Sequence, residues 1–138
     1  MSHAYVLNDT LRILVVDDDP IQREFAKVYL STPTVTVETA SDGAEGLARL
    51  ETEDFDIALV DIDMPVMNGF ELLEAIRARF ALRELPVIVI TGREDIDSID
   101  RAFALGATSF VCKAVNWRLL SYQIKFVLRA GRSVMQHA

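Results

Sequence analysis

The chain has 138 residues, 51% of them hydrophobic and 25% charged. That is enough for one domain with a full core, and too apolar for bulk disorder. The net charge of −7 argues against a general nucleic-acid surface, which needs a basic patch. Residues 1–10 carry no basic stretch leading into an apolar one, and no apolar run reaches the roughly 18 residues of a membrane span. A cytoplasmic protein with no membrane contact and no direct nucleic-acid contact is expected.

Residues 1–10 are expected to be loose. Leu11 to Val16 reads as a buried strand, followed by Asp17-Asp18-Asp19-Pro20. Pro20 suits the first turn of a helix with Asp19 as its cap. Ile21, Phe25, Val28 and Tyr29 recur at helical spacing, which predicts a first helix ended by Ser31-Thr32-Pro33. The β-branched run Thr34 to Thr39 predicts a second strand. Ser41-Asp42-Gly43 caps a second helix over 43–52, carrying Ala44, Leu47, Ala48 and Leu50.

Ile57 to Val60 is short, apolar and bounded by turn signals, the pattern of a buried parallel strand. Asp61 ends it. Met64-Pro65 and Asn68-Gly69 then turn the chain into a third helix, expected to run through Phe80 with Phe70, Leu72, Leu73, Ile76 and Phe80 inward. Pro86 to Ile90 predicts a fourth strand ending in Thr91-Gly92. A fourth helix is expected over 95–105, carrying Ile96, Ile99, Phe103 and Ala104 and stopped by Gly106. Ser109 to Cys112 predicts a fifth strand, followed by Lys113. Cys112, the only cysteine, forms no intramolecular disulfide and is expected to be a buried small hydrophobe. Asn116 caps a last helix with Trp117, Leu120, Ile124, Val127 and Leu128 on one side. Its spacing continues past Gly131, so residues 131–138 are expected to extend the helix or begin a linker.

Strand and helix alternate five times, which predicts an α/β fold with helices on both faces of a parallel sheet. Polar residues at the carboxyl ends of such strands share one crevice, where open α/β sheets keep their ligands. Here they are Asp17 and Asp18 after the first strand, Asp61 after the third, Thr91 after the fourth and Lys113 after the fifth. Three carboxylates in one crevice repel one another, and a hard divalent cation relieves the conflict. Asp61 then acts as a nucleophile toward phosphorus. Lys113 supplies positive charge and Thr91 a hydroxyl for the phosphoryl oxygens.

The segments ILVVDDDP, DIALVDIDMPVMNGFELL, PVIVITG and RAFALGATSFVCK resemble the receiver domains of bacterial two-component response regulators. The resemblance covers residues 11–130. It implies a flavodoxin-like doubly wound sheet of five strands in the order 2-1-3-4-5, with five flanking helices. It implies Mg²⁺ or Mn²⁺ held by Asp18, Asp61 and the main-chain carbonyl of Asp63, with Asp17 reaching the ion through water. It implies transfer of a phosphoryl group to Asp61 from a histidine kinase, or from a phosphotransfer protein in a phosphorelay. Thr91 and Phe110 are the implied switch pair; Phe110 lacks the hydroxyl a tyrosine would bring.

Receivers usually carry proline after the lysine, where this chain has Ala114. A cis bond before a non-proline residue costs about 3 kcal/mol, so a trans Lys113–Ala114 peptide is expected, or a cis one held under strain. Asp63 and Arg93 flank the mouth of the site and are expected to pair across it as a modulating lid. The fourth helix carries Asp97, Asp100 and Arg101, and the fifth carries Arg118, Lys125 and Arg129. Opposite signs on neighbouring helices suit a self-complementary dimer face. The last helix also suggests a connector to an effector domain absent from these 138 residues.

Two other readings compete. Asp61-Ile62-Asp63 resembles the Asp-x-Asp of phosphatases with an aspartate nucleophile, but that motif follows a first strand and leaves Asp17 and Asp18 without a task. An interaction-only receiver conflicts with the complete acidic, hydroxyl and lysine set. A signalling domain that is phosphorylated without turning over an external substrate is the expectation.

Overall fold

The computed structural model describes residues 5–137, with side chains as far as Gly131. Five strands form one parallel sheet: β1 (Leu11–Val16), β2 (Val35–Ala40), β3 (Ile57–Val60), β4 (Val87–Thr91) and β5 (Ser109–Cys112). Between and after them lie α1 (Pro20–Leu30), α2 (Gly43–Thr52), α3 (Gly69–Ala78), α4 (Ile96–Ala104) and α5 (Trp117–His137). The strand order is β2-β1-β3-β4-β5, the flavodoxin-like order that the resemblance implies. No helix among the described residues is long and apolar enough to cross a membrane.

Side chains alternate across the sheet, so each strand feeds two cores. Leu14, Val16, Ala58, Val60, Val87 and Val89 join one cluster with Leu47, Leu72, Leu73 and Ile76. Ile13, Val15, Ile57, Leu59, Ile88 and Ile90 join the other with Ala26, Leu30, Leu120 and Ile124. Each helix starts at a polar cap that satisfies an otherwise free N–H. Asp19 accepts from Ile21, Asp42 from Glu45, Asn68 from Glu71, Asp95 from Ser98 and Asn116 from Leu119. At Asn68 the cap is reciprocal, because Glu71 Oε1 accepts the Asn68 N–H at 3.1 Å.

Helical spacing alone does not say which face a helix buries, and some sequence expectations need correction. In α1 the buried residues are Ala26 and Leu30, while Ile21, Phe25, Val28 and Tyr29 are exposed. The helix has two apolar arcs, and the one with the small alanine lets the backbone approach the sheet. The same holds in α4, whose buried residues are Ser98 and Ala102 while Ile96 and Phe103 face outward. Helix α3 stops at Ala78, and Phe80 begins a separate short 3₁₀ turn at 87% exposure. Cys112 is exposed at the end of β5; on this edge strand, which pairs only with β4, no neighbouring strand covers it. The Lys113–Ala114 peptide is cis, so the trans alternative fails.

Residues 5–10 form no helix or strand, yet Leu7 is only 4% exposed and packs with Leu11, Leu30 and Leu120. Residues 1–4 lie outside the described residues. Helix α5 runs through Gly131 to His137.

Arg12 of β1, Glu38 of β2, Arg49 of α2 and Glu53, which caps the end of α2, form one ion-pair network, with Arg12 also over the Phe55 ring at 4.5 Å. Hydrogen bonds from Arg49 and then Arg12 lower the Glu53 pKa from 4.5 to about 2. A depressed carboxylate adds stability that is present above its ordinary value and lost as pH falls through the folded one. Glu53→Gln is therefore expected to lose less stability than the parent chain between pH 4.5 and about 2. Urea unfolding across that window measures it, and equal losses in both proteins would show that the network does not respond to acid.

Candidate functional site

Main-chain hydrogen bonds carry the strand ladders one step past the strand ends. Asp17 N–H donates to Ala40 O at 3.1 Å, Asp61 N–H to Val16 O at 2.9 Å and Lys113 N–H to Thr91 O at 2.9 Å. Each candidate residue is thus tied to the end of a neighbouring strand, and this brings residues as far apart in sequence as Asp17 and Lys113 into one crevice. Asp17, Asp61 and Thr91 are 5%, 6% and 0% exposed, whereas Asp18 is open to solvent.

Lys113 Nζ lies 2.9 Å from Asp17 Oδ2 and 3.1 Å from Asp61 Oδ2, so one ammonium is shared between two carboxylates. Asp17 Oδ1 accepts the Asp19 N–H at 2.9 Å, and Asp61 Oδ1 the Asp63 N–H at 3.4 Å. Burial is the strongest influence on Asp17 and raises its pKa despite the lysine. At Lys113 burial also acts first and lowers the pKa, but the hydrogen bond that Lys113 donates to Asp17 and the charges of Asp61 and Asp17 together raise it. One ammonium therefore leaves Asp17 short of positive charge.

Carboxylate oxygens of Asp17, Asp18 and Asp61 all lie within 4.8 Å of one another. Oxygen donors only, two buried and one exposed, are the donor set of a hard divalent cation that keeps some of its waters. The residues fit such an ion.

Thr91 ends β4, and its Oγ1 accepts the Arg93 N–H at 3.4 Å. Gly92 is exposed, with open space where a Cβ would stand. Arg93 turns back over the mouth. Its Nη2 lies 2.6 Å from Asp63 Oδ1, its Nε donates to both Asp63 carboxylate oxygens, and its Nη1 reaches Ser98 Oγ at 3.3 Å. Arg93 lowers the Asp63 pKa, and Asp63 raises that of Arg93. Phe110 is half-buried on the α2–α3–α4 side of the sheet.

The β3–α3 loop is shaped by Gly69. A Cβ there would fall on the Asp61 carbonyl oxygen and 2.7 Å from Ile62 Cα. Sequence reasoning did not place two further neighbours. Arg23 of α1 donates to the Asp17 carbonyl at 2.8 Å. Trp117 lines a small void shared with Asp17 and Asp61. The one local signal for Trp117 was its place directly after the Asn116 cap, and an arginine within a helix carries none.

Residues 13–125 match the response regulator receiver domain. The heme response regulator HssR of Staphylococcus epidermidis is 34% identical over 119 residues, covering 86% of this chain and 52% of that protein. HssR of Staphylococcus saprophyticus is 34% identical over 116 residues, 84% of this chain and 50% of the relative. The chain spans about half the length of these curated relatives. Among solved structures, a CheY-like receiver domain from Methanospirillum hungatei superposes with TM-score 0.84 at 34% identity, over 91% of this chain and 98% of that one. Chemotaxis protein CheY4 of Vibrio cholerae gives 0.80 at 31% identity, over 86% and 98%. Sheet order, the acidic strand ends and a match over most of the chain agree, and the chain belongs to the response regulator receiver domains of two-component systems.

Proposed function

We propose that this receiver accepts a phosphoryl group on Asp61 from a histidine kinase or phosphotransfer protein in the cytoplasm. The observation that carries the reading is the shared ammonium of Lys113 between two buried carboxylates, with Asp18 completing an all-oxygen cation site. An Asp61 carboxylate oxygen forms the bond to phosphorus as the donor's histidine nitrogen leaves with the bonding pair. Asp17, Asp18, Asp61 and the Asp63 carbonyl would hold Mg²⁺ or Mn²⁺. When bound, the ion supplies positive charge to the phosphoryl oxygens, which is most of what this transfer asks of a protein. Lys113 adds a second cation and the Thr91 hydroxyl a donor.

Thr91 drawn toward the phosphoryl group carries the segment Gly92–Asp95 with it, and Phe110 packs into the space this leaves. The change reaches the α4–β5–α5 face. There α4 presents exposed Asp97, Asp100 and Phe103, and α5 presents exposed Phe126, whereas Arg118 and Arg129 line the flank of α5 beside residues 5–9. The opposite charges expected of a homodimer therefore do not share this face; a homodimer here would join exposed Phe103 and Phe126, and α5 suits a connector to an effector domain downstream. The domain is phosphorylated without turning over an external substrate. A phosphatase reading would need Asp63 as a proton donor, but its carboxylate is gripped by Arg93 and held ionised.

Two measurements test the reading: calorimetry with MgCl₂, and intact mass after treatment with acetyl phosphate. Magnesium binding and one added phosphoryl group are expected. Absence of both would favour an interaction-only receiver.

The Asp63–Arg93 pair acts as a partial lid against attacking water. Both side chains are largely exposed, so the pair is worth at most about 1 kcal/mol. Arg93→Ala is expected to shorten the lifetime of the phosphorylated protein by roughly fivefold, the rate equivalent of that energy. An unchanged lifetime rejects the lid.

A further inference from the structure

One indole ring is a wall common to the acidic crevice and to the seat of the N-terminal segment. On its inner side, Trp117 borders a void of about 10 Å³ together with Val16, Asp17, Gln22, Val60 and Asp61. On its other side it stacks on Tyr29, with ring centroids 5.8 Å apart and planes 14° apart. Trp117 and Tyr29 then line a groove of about 270 Å³ between α1 and α5, and the chain segment Tyr5, Val6 and Leu7 lines the same groove. That segment is fastened at two points. Leu7 is buried with Leu30 and Leu120, and Lys125 Nζ donates to the Val6 carbonyl at 3.4 Å.

We infer that Trp117 links cation binding at Asp17 and Asp61 to the seating of residues 5–9 on the seam between α1 and α5. The inference rests on the reading of the acidic crevice as a cation and phosphoacceptor site. A cation there competes with Lys113 and requires the carboxylates to converge on it. The space that Asp17 and Asp61 share with the indole is barely large enough for one water, so a shift of either carboxylate alters its contact with the ring. In a close-packed interior the displacement passes to the next large group, which is the indole. Movement of the indole changes its stack on Tyr29 and the width of the groove that the N-terminal segment lines. Coupling of this kind is reciprocal, so the seating of the segment sets cation affinity by the same factor. Trp117 is a positioning residue, and the coupling gives the receiver a second readout on the side away from α4.

The test uses the full chain, MgCl₂ as the probe, calorimetry for binding and amide hydrogen exchange over residues 5–9. Trp117 is the only tryptophan, so its fluorescence follows the ring during the same titration. Saturating Mg²⁺ is expected to change exchange in that segment by about fivefold, the lower end of ordinary allosteric coupling. Trp117→Leu is expected to keep the binding heat and lose the exchange response. Tyr29→Leu, at an exposed helix position, should do the same and covers the case in which Trp117→Leu fails to fold. Binding heat with unchanged exchange in the parent chain overturns the coupling alone. An undiminished response in Tyr29→Leu overturns the route through the ring stack. No binding heat in the parent chain overturns the reading of the crevice and the coupling with it.

Discussion

Asp61→Asn is expected to stay at its unmodified mass in magnesium and acetyl phosphate, while the parent chain gains one phosphoryl group. The amide keeps the size and the Asp61 position at the end of β3, where its N–H donates to Val16 O. It removes the oxygen proposed to attack phosphorus and one of the three carboxylates of the candidate cation site. Loss of a single group aimed at the transition state costs about a hundredfold or more in comparable sites, and loss of the nucleophile costs more. Labelling of Asp61→Asn at the parental rate would move the acceptor to another residue. Lys113→Ala separates the two roles. It leaves the nucleophile but removes the ammonium held by Asp17 and Asp61, so labelling should slow and not vanish.

Gly69→Ala carries the second large effect, and its sign is set by two opposed terms. Alanine favours a helix over glycine by up to about 1 kcal/mol. Against that, the added methyl would overlap the Asp61 carbonyl and come within 2.7 Å of Ile62 Cα. Those neighbours are backbone, and Gly69 N–H is already bonded to Ile62 O at 2.9 Å, so they cannot swing aside. Overpacking in a close-fitted place costs about 1–3 kcal/mol, and a backbone clash belongs at the upper end. The variant is expected to lose about 2 kcal/mol of stability by urea unfolding, the clash less the helix gain. Relief of the clash would have to move Asp61 itself, so magnesium affinity should fall too. A variant more stable than the parent would show that the β3–α3 loop yields.

Most of the architecture was legible because its signals are local. Each strand is a short apolar run closed by a turn residue, and each helix begins at an Asp or Asn that caps it. Chain order, the parallel sheet and the gathering of Asp17, Asp18, Asp61, Thr91 and Lys113 at one edge follow from the alternation of strands and helices. What periodicity could not decide was which of two apolar arcs a helix buries. In α1 the large side chains Ile21, Phe25, Val28 and Tyr29 look like a core face, yet Ala26 and Leu30 occupy it. The choice depends on how near the helix lies to the sheet, and that distance is not a local property. Cys112 was misplaced for a related reason. An apolar run implies burial only where neighbours cover both faces and both edges, and β5 has an open edge.

The sequence by itself determined the family and the gathering of acidic, hydroxyl and lysine groups at the strand ends, because these rest on residue types at fixed places in a repeated strand–helix unit, and the sheet order came with the family resemblance. Tertiary structure alone decided how those groups meet. It decided that Lys113 divides its charge between Asp17 and Asp61, that Arg93 holds Asp63 across the mouth, and that Trp117 stands between the acidic crevice and the N-terminal segment. Each of these joins residues from different elements. Such contacts are set by the angles and spacings at which the elements pack, and no stretch of the chain encodes them alone.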